Sequence, residues 1–425
     1  MVCMATEDKK ALTGAEVAAQ GTKYAEERVT IGGLTPMTTY TVFAVACDDA
    51  GGYSGMQVVQ FVTEYAGPRP YEWESARDGI PSYTDLVLCY GGSTHRTPFG
   101  WDKERFAPFV TYTDEAGGEH WLFDSFLCIE FVMVPYSINL GQKRTSGGRE
   151  QWQELIDYWF GPDNGVNALE EAVGEAAARL GEPAGKRKVV MVMPDPIIYE
   201  EYADTNTSTT YWGELNGRRL DFAKASDRIA AYKWYIDSVR RLFDKADYRY
   251  VELAGFYIVS EDLATPGDGW NPELKRWEEV IPEVAEYLHA LNESLCWIPY
   301  NRAAGYRNWK RFGIDYAYMQ PNYFWDNKGE KPLSRFFSDI KANDLAMEFE
   351  FDDALLEKTA GSEVYRRRLR EYMDGAKEHG IYGRKPLAYY HGQNTLYELS
   401  VSAAAEDRKL YHEFCRFVLD NPLRK

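Results

Sequence analysis

Residues 345–353 read LAMEFEFDD. Apart from Glu348 and Glu350, the run up to Phe351 is apolar, as a strand buried on both faces should be. Side chains two apart on a strand share a face, and ionised carboxylates are rarely buried without partners. A core strand that turns two glutamates the same way serves chemistry as well as packing. Its neighbours along the chain decide what kind of sheet it joins.

Seven further apolar runs surround it: DLVLCYGG at 85–92, WLFDSFLCIEF at 121–131, KVVMVMPDP at 188–196, YVELAGFYIVSED at 250–262, SLCWIPYN at 294–301, YAYMQPNY at 316–323 and KPLAYYHG at 385–392. Helical patterns lie between them, such as LKRWEEVIPEVAEYLHALNES before the fifth run and VYRRRLREYMDGAKEHG before the eighth. Strands alternating with helices imply βαβ units and a parallel sheet. Eight repeats over about 340 residues predict a (β/α)8 TIM barrel. A doubly wound open sheet would want GxGxxG after its first strand, and Tyr90-Gly-Gly-Ser-Thr-His95 is not that.

Upstream the texture differs. GLTPMTTYTVFAVACDDAGGYS followed by MQVVQFVT alternates at period two with Gly-rich turns. Leu34-Thr-Pro-Met-Thr-Thr-Tyr40 resembles the tyrosine corner of a fibronectin type III domain. The expected organisation is a fibronectin type III-like β-sandwich at 1–63, shorter than a full module, a linker at 64–81 rich in Pro, Gly and charge, and the barrel at 82–425. Such a module implies an extracytoplasmic setting, although MVCMATEDKK lacks a signal-peptide pattern.

Composition bounds the partners. The chain has 425 residues, a net charge of −18, and 45% hydrophobic residues. That charge argues against nucleic acid as a partner, and no apolar stretch is long enough to span a membrane. The six cysteines are scattered without a CxxC pair, and the six histidines show no HExxH or HxH spacing. Neither a disulfide framework, a metal site nor a cofactor is expected.

Active sites of (β/α)8 barrels lie at the C-terminal ends of the strands. Polar and aromatic residues gather there in this sequence: Tyr90 and His95 after strand one, Asp124 in strand two, Asp195 at the end of strand three, and Tyr257 and Glu261 in strand four. Tyr300 and Asn301 end strand five, Gln320 and Asn322 strand six, and Tyr390 and His391 strand eight. Trp212 and Trp325, with Tyr211, Trp270 and Tyr323, fall in segments expected to be rim loops that would stack sugar rings. The insert at 197–221, IIYEEYADTNTSTTYWGELNGRRLD, is the expected substrate wall or lid. Two carboxylates across a cleft can cleave a glycosidic bond. Glu261, ending an apolar strand, suits the acid/base through partial desolvation, and Glu350 suits the nucleophile with Glu348 one pleat deeper.

A glutamate after strand four and another on strand seven resemble the clan A retaining (β/α)8 glycoside hydrolases, with Ser260 where that clan usually carries Asn. DLVLCYGG, WLFDSFL, GFYIVSE, WIPYNRAAGYRNWKRFGIDYAYMQPNYF and MEFEFD together resemble the bacterial family catalogued as domain of unknown function 4855. The resemblance implies a secreted carbohydrate-active enzyme. A short Glu261–Glu350 or Glu261–Glu348 separation, and hence net retention, is expected. Two alternatives stand beside the glycosidase: a non-catalytic glycan-binding barrel, and a metal-dependent barrel hydrolase using Asp124, Asp195 and His391.

Overall fold

In the computed structural model the eight runs pair into a closed parallel barrel. The structure describes residues 1–6, 12–25, 29–34, 39–62, 82–91, 99–130, 132–133, 136–137, 145–194, 210–263 and 279–424. The barrel strands are β1 (Asp85–Tyr90), β2 (Ser125–Ile129), β3 (Arg187–Met193), β4 (Val251–Ile258), β5 (Ser294–Trp297), β6 (Tyr316–Met319), β7 (Ala346–Glu350) and β8 (Leu387–Tyr390). Each pairs with its neighbours in chain order, and β8 closes on β1 through Leu387 opposite Asp85. Their Val-, Leu- and aromatic-rich sequences are largely buried, β1, β2 and β7 from end to end, because the outer helices cover one face and the barrel interior the other.

The crossovers are helical, as the sequence predicts, with one abbreviation. Ala225–Ala246 joins β3 to β4, Leu333–Ala342 joins β6 to β7 and Ser362–Glu378 joins β7 to β8, but β5 reaches β6 through a four-residue 3-10 turn, Trp309–Phe312. A bulge at Ala254 shifts β4 against β3. Next to it Gly255 is obligatory: a Cβ there would lie 2.3 Å from the Ser294 carbonyl oxygen of β5.

Strand two begins later than its apolar run suggests. Glu119–Trp121 belongs to a hairpin with Thr111–Thr113, and β2 starts at Ser125. Asp124 therefore stands at the N-terminal end of the barrel, where its carboxylate accepts hydrogen bonds from the backbone N–H groups of Thr84 and Asp85, both at 2.8 Å. This corrects the expectation that Asp124 lines the substrate cleft.

The N-terminal residues build a four-stranded antiparallel sheet whose first strand, Val2–Thr6, lies between Thr22–Lys23 and Thr39–Val45. The helix Gly14–Gln20 is capped by Thr13 and Glu16, and its Val17 packs with Val2, Phe43 and Val45. A sandwich needs a second sheet. Among the described residues this small unit is one sheet with a helix.

Candidate active site

Pleat parity fixes which way β7 points its glutamates. Phe349 packs outward, 5.9 Å from Tyr372 of the helix Ser362–Glu378 and 5.2 Å from Phe417 of the last helix. Glu348 and Glu350, on either side of it, must face the barrel interior. Both are buried, at 3% and 2% exposure. Glu350 lies at the C-terminal end of β7, opposite Tyr390 of β8, and Glu348 one pleat deeper, opposite Ala388.

Glu261 comes from the loop after β4. That loop is braced by the one after β5: Trp297 Nε1–H donates to the Ser260 carbonyl at 2.8 Å, and Asp262 accepts from Ala304 N–H at 2.7 Å and from the Tyr300 hydroxyl at 2.9 Å. Gly305, at φ +85°, lets the two loops close, because a Cβ would meet the Leu263 carbonyl oxygen at 2.4 Å. The Glu261 side chain is exposed rather than desolvated as its apolar strand suggests, because β4 ends three residues earlier.

The loop after β6 connects the two sides. Gln320 Nε2 donates to Glu261 Oε1 at 2.9 Å. Asn322 Nδ2 donates to Gln320 Oε1 at 3.2 Å and to Glu350 Oε1 at 3.1 Å, and Asn322 N–H donates to Glu350 Oε2 at 2.5 Å. Asn301, after β5, donates its N–H to Asn322 Oδ1 at 2.8 Å and its amide to the Pro321 carbonyl at 2.9 Å. Glu261 and Glu350 are thus the two ends of one hydrogen-bonded chain across the barrel mouth.

Burial and like charge act together on the strand-seven pair. Burial first, then Glu350 and Glu261, hold the Glu348 carboxyl well above the usual carboxylate range. Among the described residues no hydrogen bond reaches it. Burial pushes Glu350 up to about 8; the Asn322 donors oppose this and the Glu261 charge adds to it. One proton shared over this cluster therefore resides most readily at Glu348.

Aromatic rings continue the rim. Trp325, partly exposed, donates its indole N–H to Asp352 at 2.8 Å and meets Tyr390 edge-on at 6.1 Å; Tyr390 meets Tyr90 edge-on at 5.6 Å. Burial drives the Tyr257 hydroxyl upward in pKa, and Tyr90, Glu261 and Glu348 act in the same direction. Tyr90, Tyr257, Tyr300, Asn301, Gln320, Asn322, Trp325 and Tyr390 therefore gather with the glutamates at one mouth.

The chain belongs to the family described as a domain of unknown function, DUF4855, whose model matches residues 85–416. The match runs from β1 into the last helix, so it covers the whole barrel of this DUF4855 member. No curated protein matches it. Among solved structures, D-allulose 3-epimerase from Methylomonas sp. aligns over 80% of this chain and 98% of its own, at 8% identity and a TM-score of 0.36. The Bacillus subtilis mannanase man26 aligns over 78% and 85%, at 8% identity and a TM-score of 0.38. GH26C from Muricauda sp. aligns over 80% and 86%, at 11% identity and a TM-score of 0.35. Likenesses this distant bear on neither substrate nor chemistry.

Two further expectations are corrected in this DUF4855 barrel. Trp212 is not a rim residue. It sits on Tyr211–Leu215, which pairs with Arg218–Asp221, and it is 3% exposed against Trp152, Phe222 and Trp234. That part of the 197–221 insert is a packed hairpin, with Tyr211 left outside under Arg219. His391 shares parity with Tyr389, which faces Phe349 and Phe414 on the outer side of the sheet. It packs on Phe109, 5.1 Å away and 1% exposed, and burial lowers its pKa to about 4. His95, Asp195, Trp270 and the insert's first part lie outside the described residues. Asp124 and His391 do not converge, so two of the three residues offered for a metal-dependent hydrolase do not meet, and the third, Asp195, lies outside the described residues.

Sequence reading passed over Glu130, fully buried just after β2. Its signal was available: FLCIE ends an apolar run on an acid as GFYIVSE does. Asp262 and Asp352 were likewise missed, since an acid in the loop just beyond a strand looks like ordinary loop polarity.

Proposed function

We propose that this DUF4855 barrel is a glycoside hydrolase using Glu261 as acid/base and Glu350 as nucleophile. The observation that carries the reading is the placement of these two carboxyls at the two ends of one hydrogen-bonded chain across the C-terminal mouth. Glu350 is oriented by two donors on its two oxygens, which favour its anion. Glu348, keeping a proton, spares Glu350 a second buried negative charge.

In the first step a Glu350 oxygen attacks the anomeric carbon while Glu261 gives its proton to the departing glycosidic oxygen. In the second, Glu261 takes a proton from water, the hydroxide oxygen bonds to the anomeric carbon, and the Glu350 ester breaks. A sugar laid over Glu261 shields it from solvent and raises its affinity for the proton it must donate. Trp325, Tyr390 and Tyr90 offer ring faces and edges to the sugar's C–H surfaces, and Asn301 and Tyr300 offer polar partners for its hydroxyls. Action on extracytoplasmic polysaccharide belongs to the same proposal.

The test is digestion of a glycan panel by the wild type, Glu261→Gln and Glu350→Gln. Losing the acid/base or the nucleophile should reduce turnover by about 10²-fold or more, with both variants still unfolding cooperatively as folded proteins. The proposal also requires retention: an NMR time course should show the substrate's anomer first in the product. Wild-type turnover in either variant would overturn the assignment. Glycan binding without turnover in the wild type would leave a binding barrel instead.

A further inference from the structure

Asn322 occupies a left-handed backbone conformation, φ +52°, directly after Pro321. Asparagine tolerates that region better than most residues. The turn aims its backbone N–H at Glu350 Oε2, while its side chain reaches both Glu350 Oε1 and Gln320 Oε1. The amide orientation is determined by its surroundings. Asn301 N–H requires an acceptor at Oδ1, and Glu350 requires a donor on the opposite side. The reversed amide would set oxygen against a carboxylate and NH2 against N–H. Gln320 is fixed in turn, its oxygen towards Asn322 and its NH2 towards Glu261.

We propose that Asn322 is a positioning residue that orients the Glu350 carboxyl and favours its ionisation against the burial that opposes it, and that, through Gln320, it ties Glu350 to the position of Glu261. This rests on the glycosidase reading for its kinetic consequence but not for its electrostatic one. Neutral amide dipoles span the gap between two carboxyls, so each anion gains support, short of cancelling the effect of burial at Glu350, without a counter-ion that a sugar would have to displace. Among the described residues, the groups that act on Glu350 are Glu348 on its own strand, Glu261 after β4, Lys331 before the helix Leu333–Ala342, and Tyr372 on the helix Ser362–Glu378. Of these only Lys331 is cationic, so the Asn322 donors are the close support for negative charge at Glu350.

The experiment follows Glu350 directly. The full chain, 13C-labelled at glutamate carboxyls, is titrated by NMR as wild type, Asn322→Gly, Asn322→Asp and Gln320→Met, with the Glu350 and Glu261 signals assigned by their Gln variants. Glycine keeps the left-handed turn and the backbone donor but removes the amide donor. The Glu350 midpoint should rise by about one pH unit in Asn322→Gly, the size of one charge-assisted hydrogen bond. It should rise further in Asn322→Asp, which sets a carboxylate there. Gln320→Met should move Glu261 and leave the Glu350 midpoint within about 0.3 of a pH unit, as the retained Asn322 donors require. On any glycan the wild type cleaves, the acidic limb of kcat/KM should move with the Glu350 midpoint. An unmoved Glu350 midpoint in both Asn322 variants would overturn the proposal, because a merely structural turn residue predicts that result. Absence of glycan turnover in every form would instead sink the glycosidase reading while the titration still decided the role of Asn322.

Discussion

Glu348 shows how far a single residue can be read from its surroundings. Its folded-state pKa is raised, as is that of Glu350, so the folded chain holds protons that the unfolded chain releases. Stability then falls as pH rises. The contribution is fully present below the unfolded carboxyl pKa of about 4.3 and is lost as pH climbs through the folded value, about 8 for Glu350. Glu348→Gln keeps the shape of the protonated side chain and removes the ionisation. Its melting temperature should match the wild type at pH 5 and exceed it at pH 8, since a pKa raised by one pH unit costs about 1.4 kcal/mol once the group must ionise. Equal differences at both pH values in thermal scans would show that Glu348 is not held protonated. The parity that turns this residue towards the barrel interior was legible in LAMEFEFDD. The exposure of Glu261 was not, since an apolar strand does not say where its last pair ends.

At the scale of elements, the two ends of the barrel separate function from stability. Asp124 joins β1 to β2 from the N-terminal end by accepting two backbone N–H groups. Near it the buried Asp85 receives the Tyr389 hydroxyl at 2.7 Å and Arg424 at 3.0 Å. Asp124→Ala should cost about 1–3 kcal/mol in urea unfolding by leaving those donors unmet, with kcat of the folded fraction unchanged. The hairpin that carries Trp212 behaves in the same way. Trp212→Ala should cost about 3–5 kcal/mol, as a core tryptophan does, and leave glycan affinity intact. Loss of affinity without loss of stability would restore Trp212 to the cleft.

For the whole molecule, the N-terminal cluster of Val2, Val17, Phe43 and Val45 shares no residue with the barrel core. A chain of residues 82–425 should therefore melt within about 2 °C of the full chain, a change worth less than about 1 kcal/mol at this size. A much lower transition would mean that the barrel depends on the upstream residues. Charge sets a second expectation. Beside the buried pair Glu348 and Glu350, the mouth carries Glu261, Asp262 and Asp352 on a chain of net charge −18. Polyuronic acids should bind weakly and gain affinity with added salt, whereas neutral glycans should be indifferent to it, as isothermal titration at two ionic strengths would show.

The sequence by itself determined the barrel, because alternating apolar runs and amphipathic helices are local patterns set by the periods of strand and helix. It also determined that Glu348 and Glu350 share a face and that Glu261, Gln320 and Asn322 follow β4 and β6. Only the tertiary structure decided which polar residues meet. Asp124 went to the far end because a hairpin and a buried strand are equally apolar, so WLFDSFL does not mark where β2 starts. Trp212 entered the core and His391 passed behind the sheet because packing partners, not residue type, choose the side. The chain from Glu261 to Glu350 joins residues 59 and 28 positions apart through amides whose orientation depends on all their neighbours at once. Contacts of that kind carry no local periodicity, so they exist only once the barrel has closed.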